Sequence, residues 1–124
     1  MKRFVYAVSG LVLLVLVGCN ESPAKTGKDF YYLVEKGKVN DAYNLVTKEG
    51  QGLLSMAGGA ASFSKLTKEI ESKKGIKEIQ VVNEEKKGDT ATVKVKIIFN
   101  SGEPQEDKLD LIKEDGKWKI AINK

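Results

Sequence analysis

Thr90-Ala91-Thr92-Val93-Lys94-Val95-Lys96-Ile97-Ile98-Phe99 carries the pattern from which the architecture follows. Ala91, Val93, Val95, Ile97 and Phe99 fall on one side of an extended chain, and Thr90, Thr92, Lys94 and Lys96 fall on the other. A period of two means a strand with one face on a core and the other in water. The same apolar face continues downstream in Leu109 and Leu111 and then in Trp118, Ile120 and Ile122, so strands are expected over Lys108–Glu114 and Lys117–Asn123. Upstream, Ile76–Asn83 reads as a further strand. The connectors Lys87-Gly88-Asp89, Asn100-Ser101-Gly102 and Asp115-Gly116 are short and carry hairpin chemistry, which implies an antiparallel meander.

Toward the N-terminus the period lengthens. Ser22-Pro23 reads as a helix start, with Phe30, Leu33 and Val34 at helical spacing until Gly37. Asn40 is expected to cap a second helix carrying Ala42, Leu45 and Val46 and ending near Gly50, and Ser62 a third carrying Phe63, Leu66 and Ile70. Between them lies a stretch, Gly50 to Ala61, rich in glycine and alanine. Helices followed by strands define an α+β class: N-terminal helices packed on a curved four-stranded antiparallel meander sheet.

The chain has 124 residues, 41% hydrophobic and 31% charged, which suits one globular domain plus a targeting segment. Its formal charge is +4, but Lys2 and Arg3 belong to the N-terminal leader; without them 19 basic residues face 17 acidic ones. Basic and acidic residues interleave, as in Glu84-Glu85-Lys86-Lys87, so no field accumulates that would hold a polyanion, and nucleic acid is not an expected partner.

Met1-Lys2-Arg3 followed by the apolar run Phe4 to Val17 has the form of a signal peptide. The run is shorter than the roughly 20 residues needed to span a hydrocarbon core. It closes on Leu16-Val17-Gly18-Cys19, which resembles the lipobox of bacterial lipoproteins. That resemblance implies cleavage before Cys19, acylation of its thiol and often of its amine, and a membrane partner engaged through the N-terminal lipid. Two or three acyl chains anchor stably where one does not. Cys19 is the only cysteine, so lipidation would leave no thiol for a disulfide. The expected organisation is a cleaved leader over 1–18, a lipidated cysteine and short tether over 19–23, and one domain over 24–124. The expected address is the bacterial cell envelope. Because residue 20 is Asn rather than Asp, a two-membrane host would place the protein on the outer membrane, facing the periplasm.

Three stretches bring a family resemblance: Asp29 to Val46 with its Lys38-Val39-Asn40-Asp41-Ala42-Tyr43 turn, Gly88-Asp89-Thr90-Ala91-Thr92-Val93, and Asp115-Gly116-Lys117-Trp118-Lys119-Ile120. With these, the mature region resembles bacterial lipoproteins of unknown function that carry a nuclear-transport-factor-2-like, or cystatin-like, cone. The resemblance implies a fold and no particular activity.

Chemistry is sparse in the chain. It contains no histidine, and with Cys19 acylated no soft ligand remains for zinc or copper, so no metal or other cofactor is expected. The expected inward positions Val93, Val95, Ile97, Leu109, Leu111, Trp118, Ile120 and Ile122 are apolar, whereas Glu103, Glu106, Asp107 and Asp110 read as turn or outward carboxylates. The glycines of Gly50-Gln51-Gly52 and Gly58-Gly59 lack the strand and Lys-Ser/Thr context of a phosphate loop. Tyr31, Tyr32, Tyr43 and Trp118 are core and rim residues or the lining of a cup. Leu53, Leu54 and Met56 form either a movable apolar lid or a helix packed on the core. Candidate ligand or partner contacts are therefore Leu53, Leu54, Met56, Tyr31 and Tyr43. No catalytic residue is expected. The expected role is non-enzymatic, binding a protein or a small apolar molecule near the membrane; the alternative is a hydrolase or isomerase-like enzyme of the cone superfamily.

Overall fold

Ser22 Oγ accepts a hydrogen bond from Lys25 N at 3.1 Å and so caps helix α1, Pro23–Glu35, as its sequence suggests. Pro23 sits in the first turn, where a missing N–H breaks no helical bond. The helix buries Thr26, Gly27, Phe30, Tyr31 and Val34 on one face and ends where Gly37 adopts φ +76°. There Lys38 N donates to Leu33 O and Gly37 N to Val34 O, satisfying carbonyls that the helix end leaves open. The computed structural model describes residues 22–122. The leader, Cys19 and the last two residues lie outside the described residues.

Two short helices follow, α2 over Val39–Tyr43 and α3 over Lys48–Ser55, then a 3₁₀ turn over Gly59–Phe63 leading into α4, Ser64–Ser72. The strands are β1 (Ile76–Lys87), β2 (Thr90–Phe99), β3 (Gln105–Glu114) and β4 (Lys117–Ala121). They form one antiparallel sheet in the order β1-β2-β3-β4. The expected α+β architecture, helices first and then a four-stranded meander, is the observed one. The helices cover one face, where Val93, Val95, Ile97, Leu111, Trp118 and Ile120 are buried with Phe30, Tyr31, Val34, Val46, Phe63 and Ile70. Leu109 and Ile122 are partly buried at the margin of this core. At the β4 edge, Ile120 N donates to Leu45 O at 2.7 Å and Thr47 N donates to Ile120 O at 3.0 Å, so the segment after α2 closes that edge.

Local expectations fail where side chains compete with pattern. Asn40 does not cap α2; it lies inside the helix, behind Lys38, which makes no side-chain cap bond. The second expected helix does not run on to Gly50, because Thr47 starts a new one: its Oγ1 accepts from Gly50 N at 3.0 Å. Ser62 does not cap the last helix either. Its hydroxyl donates to Gly59 O within the 3₁₀ turn, and α4 begins at Ser64. β1 runs four residues past Asn83; Asn83-Glu84-Glu85-Lys86-Lys87 is polar and exposed on both faces, so no apolar alternation marks it as a strand, and a bulge between Val81 and Asn83 precedes it. β3 starts at Gln105 rather than Lys108, and β4 ends at Ala121.

Candidate functional site

With β3 starting at Gln105, alternation puts Gln105 and Asp107 on the same face as Leu109 and Leu111, beneath the helices. This corrects the reading of Asp107 as a turn or outward carboxylate. Asp107 Oδ2 accepts from the Tyr31 hydroxyl at 2.8 Å and from Gln105 Nε2 at 3.0 Å. The cluster ties α1 to β3 across the layer interface. Its signal in the sequence was the spacing: Asp107 lies two residues before Leu109, which places both on one face of a strand. Glu106 stays on the outward side, and Asp110 accepts from the Thr92 hydroxyl at 3.2 Å across the outer face.

Tyr31 is 4% exposed and its hydroxyl proton is committed to Asp107. Burial first, and then the negative charge and hydrogen bond of Asp107, push its phenol well above the ordinary tyrosine range. The folded chain thus keeps a proton that an unfolded tyrosine releases near pH 10, and stability must fall as pH rises above that value, by up to about 1.4 kcal/mol per pH unit. Tyr31→Phe removes this dependence. In urea titrations at pH 9 and pH 11, the stability advantage of the natural chain over Tyr31→Phe is expected to shrink by up to about 1.4 kcal/mol. Parallel losses in both proteins would show that Tyr31 ionises as easily folded as unfolded.

Beside Gln105 lies a cavity of about 200 Å³ between α4 and the ends of β2 and β3, floored by Ile70 and Phe99 and rimmed by Glu69 and Lys73. Lys73 Nζ stands 4.5 Å from the centre of the Phe99 ring. At this volume the cavity is smaller than the roughly 300–1,000 Å³ typical of small-molecule sites. Larger spaces open outside the layer interface. A cleft of about 540 Å³ separates α2 and α3 from the β3–β4 hairpin, lined by Asn44, Gln51, Glu114, Lys117 and Lys119. A shallower one of about 350 Å³ lies along Tyr32, Leu33 and Leu45.

The other candidate contacts lie apart from Tyr31. Tyr43 donates its hydroxyl to Gln51 O at 2.7 Å, joining α2 to α3. Leu53 and Leu54 are half-buried on α3, and Met56, just past its end, is 86% exposed. Residues 50–64 carry no charged side chain. Met56 therefore sits at the tip of an uncharged knuckle in a chain that is otherwise densely charged. Among the described residues no group of three acidic, histidine or cysteine side chains is placed to hold a metal ion. Nor is any described helix long and apolar enough to cross a membrane.

A family model described as a domain of unknown function, DUF4878, matches residues 17–121. The chain belongs to the DUF4878 family. In three dimensions this DUF4878 chain is similar to a crystal structure from Campylobacter jejuni of a protein provisionally named an NTF2-like transpeptidase. The TM-score is 0.71 at 19% identity, over 83% of this chain and 100% of that one. It is also similar to the solution structure of a SEC-C motif containing protein from Rhodopseudomonas palustris, with a TM-score of 0.58 at 15% identity over 82% and 76% of the two chains. At such identities the likeness concerns the fold, and the DUF4878 domain here is an NTF2-like α+β cone. No protein of curated function matches it in sequence.

Proposed function

We propose that this DUF4878 protein is a lipid-anchored module of the bacterial cell envelope that acts by binding, with a protein or a small apolar molecule as its partner. The observation that carries the anchor is Leu16-Val17-Gly18-Cys19 at the close of a basic and then apolar leader, three residues before the Ser22 cap of α1. The family match takes in Cys19. In a host with two membranes, the outer membrane is the proposed address, with the domain in the periplasm. Binding is supported by the packing of the interior: apart from the small cavity beside Gln105, core side chains occupy the space under the helices, while the ligand-sized clefts and the uncharged Met56 knuckle lie on the outside.

Cys19→Ser tests the anchor. The natural chain is expected in the membrane fraction, with a mature N-terminal peptide whose mass includes diacylglycerol. The variant is expected to lose acylation altogether and to leave that fraction. Mass spectrometry showing an unmodified Cys19, or a mature start elsewhere, would overturn the proposal.

One observation favours the alternative, a hydrolase or isomerase-like enzyme on the same cone: Asp107 beside Tyr31 and Gln105 on the inner face. Such chemistry requires a substrate to reach that carboxylate. Carbodiimide coupling of a small amine to the folded protein separates the readings by peptide mass. Protection of Asp107 supports the binding module, and coupling at Asp107 comparable to that at Glu106 supports the enzyme.

A further inference from the structure

The first turn of α1 is held at one end of the sheet by Glu84, whose Oε2 accepts from Ala24 N at 2.9 Å. A carboxylate there also opposes the positive end of the helix dipole. Ser22 Oγ and Ser22 O accept from Lys25 N and Thr26 N, so the chain is fixed from Ser22 onward. Between that point and Cys19 stand only Asn20 and Glu21. Three extended residue steps reach about 10–11 Å.

The sheet extends beyond Glu84 by a similar amount. Glu85, Lys86 and Lys87 continue β1 before the turn at Gly88 and Asp89, adding about 10 Å at 3.3 Å per residue. Lys113 N donates to Asp89 O at 2.8 Å, which braces this tip against the neighbouring β3–β4 hairpin. Residues 84–90 are all exposed. At the opposite end, Phe99, which leads into the turn Asn100 to Gly102, lies six strand steps from Val93, the partner of Glu84, about 20 Å away and beyond the leash.

We propose that the β1–β2 hairpin tip, Glu85 to Asp89, rests against phospholipid headgroups, held level with the bilayer surface by a leash about as long as the tip is tall. This rests on the anchor proposed above. The tip carries Lys86 and Lys87 beside Glu85 and Asp89, an even balance that suits zwitterionic headgroups, so reach rather than net attraction sets the contact. The end of the fold holding Phe99, Gln105 and the small cavity then faces away from the membrane.

The test uses the full lipidated chain with a single introduced thiol, Asp89→Cys or Ser101→Cys, labelled with a fluorophore; the acylated Cys19 does not compete for label. Each protein is placed in phosphatidylcholine vesicles containing a lipid with a nitroxide on its headgroup. Quenching is expected to be several-fold stronger at position 89 than at 101, and to be unchanged when anionic lipid is added. Equal or reversed quenching in protein that floats with the vesicles overturns the orientation alone. Protein that fails to float overturns the anchor, and the orientation with it. A flexible Gly-Ser insertion of about twelve residues between Glu21 and Ser22 frees the domain and is expected to erase the difference. Persistence of the difference after that insertion overturns the role given to the leash.

Discussion

Trp118→Ala is expected to cost about 3–5 kcal/mol of folding stability, the range for truncating a large aromatic side chain in a core. Trp118 is the only tryptophan in the chain and is 6% exposed. It stands on β4 opposite Lys113, on the face that also presents Ile120 and Leu111 to the helices. Lys113 Nζ lies 5.4 Å from its ring centre, a contact worth only about 0.5–1 kcal/mol near solvent. Burial of the indole therefore dominates. β4 is five residues long and on its outer side meets the segment after α2 through the Ile120 backbone and the exposed Lys119 amine, neither of which replaces the lost packing. For a domain of this size the loss corresponds to a fall in Tm on the order of 20 °C. Circular dichroism should record it, since the variant lacks the fluorophore. Lys117→Ala, one residue away on an exposed position, is expected to change stability by no more than about 0.5 kcal/mol. Near-natural melting of Trp118→Ala would mean that β4 presents its other face to the core.

The sheet was legible because β2, one of its two inner strands, alternates apolar and polar residues until Ile98. From Ala91 to Phe99 every second side chain is apolar and buried, and no polar group competes. β1 was legible only as far as Asn83, since the residues beyond it are charged and exposed on both faces, and Glu84 then looks like one more surface charge instead of the carboxylate that holds α1. Asp107 was obscured by identity: a carboxylate flanked by Glu106 and Lys108 reads as solvated unless strand phase is given more weight than charge. Its partner, Tyr31, is 76 residues away, and a hydrogen bond across that separation leaves no local signature. The short helices were the least legible part. Thr47, Ser62 and Asn40 all have side chains able to cap, and which of them does so depends on where the backbone turns to meet β4 and the left-handed Gly58.

Gly50 and Gly52 lie in the same helix two residues apart, and alanine is expected to act on them in opposite directions. A methyl group built on Gly50 would lie 2.5 Å from Val46 Cγ1, 3.0 Å from Ile122 Cγ1 and 3.1 Å from Thr47 Oγ1. Val46 is 1% exposed and β-branched, so it has no free rotamer through which to yield. The overlap must be relieved by moving α3 away from β4, and overpacking of this kind costs about 1–3 kcal/mol, more than alanine returns in helix propensity. At Gly52 nothing lies within 4 Å of the added methyl, and its φ is not in the left-handed region. There the only effect is to restrict the unfolded chain and favour the helix, a gain of about 0.4–1 kcal/mol. Because the helix gain is common to both, the two variants should differ by the overpacking cost, about 1–3 kcal/mol in urea unfolding, while sharing one composition. The contrast also decides between a movable lid and a packed helix for Leu53 to Met56. If α3 is seated on the sheet through Gly50, Gly50→Ala should speed amide exchange at Leu53 and Leu54, whereas Gly52→Ala should slow it. Equal tolerance at both positions would mean that α3 stands away from β4 for much of the time, as a lid does.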